Sequence, residues 1–259
     1  MIKVVKIGGR ILDDEARLAA FCRDFAALPG EKVLVHGGSV LANRVQEALG
    51  AEPRKIEGRR VTDEAALQVV TMVYAGWYNK HLTALLQKES CNAVGLAGCD
   101  GACITARRRP PMTLSDGSTV VDYGFVGDVT PASVDVGFIR GLLGAGYTPV
   151  FSAINHDGAG NLLNTNADTV ASCIAAALGA SLVICFEKDG VLSDPADPGS
   201  VIPLIRESDC AALKASGTVS EGMLPKLDTA FAALRSGAAG AVIKNAGALC
   251  SAGGTELCL

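Results

Sequence analysis

The chain has 259 residues, 49% of them hydrophobic, with 23 Lys and Arg against 27 Asp and Glu and a net charge of −4. That length buries a sizeable core in one large or two modest domains, and the acidic balance argues against a nucleic-acid or anionic-membrane binder, since either needs a basic face. No apolar run reaches the length needed to cross a bilayer, and nine cysteines in no paired spacing, behind a start that runs from Met1 straight into a strand, point to a reducing compartment, the cytoplasm.

A strand over Ile2–Ile7 runs into Lys6-Ile7-Gly8-Gly9, and a second over Lys32–His36 runs into His36-Gly37-Gly38-Ser39. A residue without Cβ lets backbone N–H groups turn toward a ligand and approach it closely, which suits phosphate or carboxylate. Amphipathic stretches, Glu15 to Leu28 and Val40 to Leu49, follow the two loops, so both loops would lie at helix N-termini where anions are favoured. Taken singly, either loop reads equally well as an ordinary βα turn. Two of them with Lys6 favour a paired oxyanion site.

Next comes Gly58-Arg59-Arg60-Val61-Thr62, ahead of a long helix from Thr62 to about Lys88. Its apolar face would carry Ala66, Val69, Val70, Val73, Trp77 and Leu85, and Thr62-Asp63 offers its cap. An arginine at this point would match the two oxygens of a carboxylate, although the segment alone reads better as surface. A strand over Asn92–Leu96 follows, and then short extended pieces with turn signals between Cys103 and Val126, read as one or two hairpins that could form a lid. Within them Arg107-Arg108-Arg109 reads as a solvated loop, with a local phosphate contact the lesser alternative. Cys99 and Cys103 lack a second ligand pair and the three histidines are far apart in sequence, so no zinc site is expected.

After a strand over Thr148–Ser152, a hairpin spans Asn155 to Asn164. Its Gly158-Ala159-Gly160 has neither the third glycine nor the following helix of a dinucleotide fingerprint. In Asn164-Thr165-Asn166-Ala167-Asp168, Asn166 suits the N-cap and Asp168 the first turn of a helix reaching Leu178; a ligand role for Asn164 and lysine orientation by Asp168 is the functional alternative. Strands over Leu182–Phe186 and Ala241–Lys244 flank Ser220-Glu221-Gly222-Met223-Leu224-Pro225-Lys226, where a helix would carry Lys226 in its first turn. A cation is badly placed at a positive helix end unless an anion offsets it, which makes Lys226 a phosphate-site candidate. Alternating strands and helices give the class: α/β, a mainly parallel sheet covered on both faces.

In this order, Lys-x-Gly-Gly, His-Gly-Gly, Gly-x-Arg-Val-Thr, Asn-x-Asn-Ala-Asp and Gly-Met-x-x-Lys resemble the amino-acid kinase family, nearly from end to end. Arg60 together with Asn164 resembles the branch that phosphorylates the γ-carboxylate of an N-acylated glutamate on the way to arginine and ornithine. The resemblance implies an αβα sandwich of two lobes, residues 1–178 for the acylated amino acid and for dimerisation and residues 179–259 for ATP with Mg²⁺. It implies that Lys6 and Lys226 stabilise the transferring phosphoryl group, that Asp168 organises them, and that Gly8, Gly9, Gly37 and Gly38 supply N–H groups. Arg60 and Asn164 match substrate positions, with Ser39 beside them where the family usually has glycine. Glu187, Lys188, Asp189, Gly190, Val191 and Leu192, with Thr218, Val219 and Ser220, match the nucleotide segments, although Cys185 to Gly190 departs from the commoner form. An N-acetyl substrate is expected and N-succinyl is the alternative. No extra N-terminal helix precedes the first strand, so an arginine-insensitive homodimer is expected, with the long helix as its interface. A uridylate, carbamate or glutamate 5-kinase would lack Arg60 with Asn164, and a non-catalytic ligand sensor on the same fold would have lost one of Lys6, Asp168 or Lys226.

Overall fold

The computed structural model describes residues 1–8, 11–194, 196–215, 219 and 223–259, with backbone alone at 214 and 215. From the start, β1 (Lys3–Ile7) leads to α1 (Glu15–Ala27), and β2 (Lys32–His36) to α2 (Ser39–Ala48). A small hairpin, β3 (Lys55–Ile56) and β4 (Arg59–Arg60), precedes a helical rod made of α3 (Glu64–Val70), a π-helical segment (Thr71–Tyr78) and α4 (Asn79–Lys88), which delivers β5 (Ala93–Leu96). Then come β6 (Arg107–Arg108), β7 (Met112–Thr113), β8 (Val120–Val121), β9 (Gly127–Asp128), α5 (Val136–Gly144) and β10 (Thr148–Ser152). The hairpin β11 (Ile154–His156) and β12 (Leu162–Asn164) leads into α6 (Ala167–Leu178). The remainder is β13 (Ser181–Phe186), β14 (Leu204–Arg206), α7 (Cys210–Ala215), α8 (Leu224–Arg235), β15 (Gly240–Asn245) and β16 (Thr255–Cys258).

Eight strands form one sheet in the order β14-β16-β15-β13-β1-β2-β10-β5, parallel except for the β15–β16 pair. Side chains in its central strands alternate between two cores, as a pleated strand requires. Val4, Val33 and Val35 pack with α6 and α8 through Val170, Ile174 and Phe231, whereas Val5 and Leu34 pack with α1 and α4 through Phe21, Phe25, Leu82 and Leu86. The molecule is therefore an αβα sandwich. The first strand lies inside the sheet, with β2 on one side and β13 on the other. Chain direction across the sheet reverses there, which is where open α/β sheets bind ligands at the carboxyl ends of their strands.

The sequence periodicity predicts one regular helix from Thr62 to about Lys88, whereas the helix begins at Glu64 and two residues fall out of phase with that expectation. A π turn closes on i+5 and so delays the apolar stripe. Trp77, expected in the core, is 59% exposed, while Tyr74 and Tyr78 point inward and Leu82 and Leu86 replace Leu85 as buried leucines. Of the Thr62-Asp63 pair expected at the cap, Asp63 caps the rod, accepting from the Ala66 N–H at 2.8 Å. The sequence gives no sign of the short strands β14 and β16 at one side of the sheet, of which β14 is the edge. The hairpin at Asn155 to Asn164 forms as β11 and β12.

Candidate active site

Lys6 is the penultimate residue of β1, and its ammonium lies 2.9 Å from Asp168 Oδ1. Asp168 is in the first turn of α6, set by the Asn166 cap, whose side-chain oxygen accepts from the Thr169 N–H at 3.1 Å. Lys226 comes from the first turn of α8, and its ammonium is 3.7 Å from Asp168 Oδ2. The Ser172 hydroxyl donates to the Thr229 carbonyl across α6 and α8 at 3.1 Å, which brings the two helix N-termini together. Burial raises the Asp168 pKa, but the Lys6 and Lys226 ammoniums outweigh it and hold the carboxyl below its ordinary value.

Beside this triad lies a cavity of about 250 Å³ lined by Lys6, Gly8, Gly37, Gly38, Ser39 and Asp168, and also by Arg60 and Asn164. It is small against the roughly 300–1,000 Å³ of drug-sized pockets, which suits a modified amino acid rather than a whole nucleotide. Its wall also carries the cations Lys55, Arg59 and Arg109. Asp168 is the one acid on it among the described residues, so the space favours an anionic ligand.

Arg60 is buried and held from behind. Its guanidinium donates to Gln46 Oε1 at 2.8 Å, to the Ser39 carbonyl at 3.3 Å and to Asn43 Oδ1. All three acceptors belong to α2, so the helix that follows the second glycine loop also fixes the arginine. Asn164 Nδ2 donates to the buried Thr62 hydroxyl at 3.0 Å. The Gly38 backbone passes so close to Tyr74 and Tyr78 that a Cβ there would lie 2.8 and 2.6 Å from their rings. Ser39, first residue of α2, is exposed on the cavity rim.

Arg109 corrects the reading of the basic triplet as a solvated loop. Arg107 and Arg108 form β6 against β9, but Arg109 turns inward with its side chain 14% exposed. It pairs with Asp128 through Nε, 3.1 Å from each carboxylate oxygen, and lies 5.8 Å from the Tyr123 ring centroid. Two prolines after the triplet hid this, because the partner Asp128 is distant in sequence.

The second group of expected residues lies off the cavity. Glu187, Lys188 and Asp189 are exposed beyond the end of β13, where Asn245 Nδ2 donates to Asp189 Oδ1 at 2.8 Å. Gly190, Val191, Leu192 and Val219 are buried, and the Val191 N–H donates to the Thr255 hydroxyl at 2.8 Å. Gly9, Thr218 and Ser220 lie outside the described residues.

The amino acid kinase family profile matches residues 1–245, and the chain belongs to that family. It is 44% identical over 260 residues to an acetylglutamate kinase from Bacteroides fragilis, covering 99% of this chain and 96% of the relative. An acetylglutamate kinase from Bacteroides thetaiotaomicron is also 44% identical over 260 residues, covering 99% of this chain and 98% of that one. The N-acetylglutamate synthase from Neisseria gonorrhoeae, solved with coenzyme A and N-acetyl-glutamate, superposes with a TM-score of 0.80 at 24% identity, over 100% of this chain and 59% of that longer one. That last likeness concerns the fold.

Proposed function

We propose that this chain transfers the γ-phosphoryl group of ATP to the γ-carboxylate of N-acetyl-L-glutamate, forming the acyl phosphate in arginine and ornithine biosynthesis. One observation carries the reading: Asp168, on the wall of a cationic cavity sized for a modified amino acid, holds Lys6 and Lys226 together. The names of the two Bacteroides relatives agree with it.

The nucleophile would be a carboxylate, ionised at neutral pH, so no general base is required and catalysis reduces to placement and charge. Arg60 grips the α-carboxylate and Asn164 the acylamino group, which leaves the γ-carboxylate pointing toward Lys6. As charge spreads over the transferring group and the leaving oxygen, Lys6 and Lys226 offset it, and the Gly8 and Gly38 amides donate to it. Asp168 takes no proton; it keeps two like charges side by side. Residues 179–259 would hold the nucleotide, with Glu187, Lys188, Asp189 and Gly190 at the strand end and with Val191, Leu192 and Val219 serving from the core beneath. Since Asp168 is already engaged by two lysines, Mg²⁺ would be held by the nucleotide's own phosphate oxygens, where it neutralises charge.

The enzyme would be a cytoplasmic homodimer. Nine free cysteines suit a reducing compartment, and among the described residues no helix is long and apolar enough to cross a membrane. A coupled ADP-release assay offering N-acetyl-glutamate, N-succinyl-glutamate, free glutamate and UMP tests the function. The expected outcome is the highest kcat/KM on N-acetyl-glutamate. A preference for N-succinyl-glutamate would reassign the acyl group, and inactivity on all four would leave a ligand sensor.

A further inference from the structure

His36 ends β2 directly behind the second glycine loop and is fully buried, in register with Ile7 of β1 and Ser152 of β10. Its Nδ1 is 2.9 Å from the Gly37 carbonyl oxygen and its Nε2 is 3.1 Å from Asn79 Nδ2. Asn79 starts α4, immediately after the π-helical segment. The neighbours of its amide fix which end is which. Nδ2 also meets the Val150 carbonyl at 2.8 Å and the Leu96 carbonyl at 3.3 Å, both of which only accept, while Oδ1 receives the Lys80 ammonium at 3.1 Å, which only donates. Gly95 makes this approach possible, because a Cβ there would collide with Asn79 Oδ1. Nε2 of His36 therefore accepts, and the proton of the neutral ring sits on Nδ1.

A trans peptide plane carries its C=O and the next N–H in opposite directions. Tying the Gly37 carbonyl back to the imidazole thus turns the Gly38 N–H the other way, at the head of α2, where it has no intrahelical acceptor. Gly37 and Gly38 line the cavity.

We propose that His36 is a positioning residue for phosphoryl transfer: Asn79 fixes its Nδ1–H tautomer, and that proton holds the Gly37 carbonyl so that the Gly38 N–H is aimed at the reacting oxygens. The inference rests on the kinase reading of the site. Burial pushes the His36 pKa down to about 4, opposed by the bond to Gly37 and reinforced by the positive charges of Lys6 and Lys80. The ring accordingly stays neutral where the reaction runs, and its proton remains available to the carbonyl.

Two measurements on the full chain test this. Nitrogen-15 NMR of the three histidines should show one that is protonated on Nδ1 alone, unchanged from about pH 6 to about pH 9. An Nε2–H tautomer at His36 overturns the proposal whatever the activity. Kinetics then separate positioning from packing. In His36→Asn the amide nitrogen takes the place of Nδ1 and keeps the donor, so kcat should stay within about threefold of the parent. In His36→Gln the amide reaches Asn79 but not the Gly37 carbonyl, so kcat should fall roughly 10- to 100-fold with KM for ATP and Tm little changed. Equal losses in both variants, or losses that follow Tm, overturn the role. An unsubstituted chain inactive on N-acetyl-glutamate would defeat the kinase reading instead, with the tautomer still measurable.

Discussion

Lys6 Nζ and Asp168 Oδ1 are 2.9 Å apart, a link between the first strand and a helix that begins far along the chain. The same carboxylate reaches Lys226, so one acid sets the spacing of two cations. Neutralising charge on a moving phosphoryl group needs cations fixed before the reaction begins. Lys6→Ala should therefore lower kcat by roughly 100- to 1,000-fold with a much smaller change in KM. Steady-state kinetics decide it, and a largely unchanged kcat would remove Lys6 from the catalytic role.

The triad also has a pH signature in stability. Asp168 is held below its ordinary value of 3.8, with the two lysines outweighing burial. A depressed carboxyl means that the unfolded chain binds more protons, so the contribution is present above the ordinary value and is lost as pH falls through the folded one. Asp168→Asn leaves the buried Lys6 and the half-buried Lys226 facing each other and should lower Tm at neutral pH. The gap between variant and parent should narrow once the pH drops below about 4. Thermal melts across that range would show a constant gap if the carboxylate were not the source.

Arg109 lies on the cavity wall, where its partners are Asp128 and Tyr123 rather than any residue of the triad. It should therefore act in substrate capture rather than in the chemical step. Arg109→Ala is expected to raise KM for the acylated amino acid about tenfold, as loss of one charge-assisted contact does, and to leave kcat within about threefold. Asp128→Asn, which frees the guanidinium without removing it, should have a smaller effect in the same direction. A fall in kcat at constant KM would place Arg109 at the phosphoryl group instead.

Which of these features the sequence discloses depends on whether the signal is local. Strand periodicity, the glycine pairs and the Asn166 cap are local, and β1, β2, β10, β13 and β15 fall where hydrophobic runs put them. Lys226 showed itself as a cation at the wrong end of a helix, a conflict that Asp168 resolves. Trp77 was misplaced because a π turn shifts the phase without any change in composition. Arg109 was missed because its orientation depends on Asp128, and the Asn79 bond to His36 was invisible because it spans three strands of the sheet.

Ser39 stands on the rim of the cavity, at the first position of α2. An exposed side chain at that place has room to be removed. Ser39→Gly should cost no more than about 1 kcal/mol of stability, from glycine's weaker helix propensity, and should leave kcat within about twofold. A large change in KM for the acylated substrate would show that the hydroxyl touches it.

The π-helical segment presents two large apolar side chains to solvent, Met72 at 56% and Trp77 at 59% exposure, with the Trp77 ring stacked on His81 at 5.3 Å. Its opposite side packs Tyr74 and Tyr78 against Gly38 and leads into Asn79. A second copy of the chain covering the outer side would bury the apolar pair and stiffen the segment that supports the glycine loop. Sedimentation should show a dimer for the parent chain and a monomer for Trp77→Glu, since a buried carboxylate without a partner is strongly disfavoured. The monomer should fold, because Trp77 lies outside the core, yet its kcat should fall as Tyr74 and Tyr78 lose their backing. A monomeric parent chain would refute the interface, and a fully active Trp77→Glu monomer would show that dimerisation and loop support are independent.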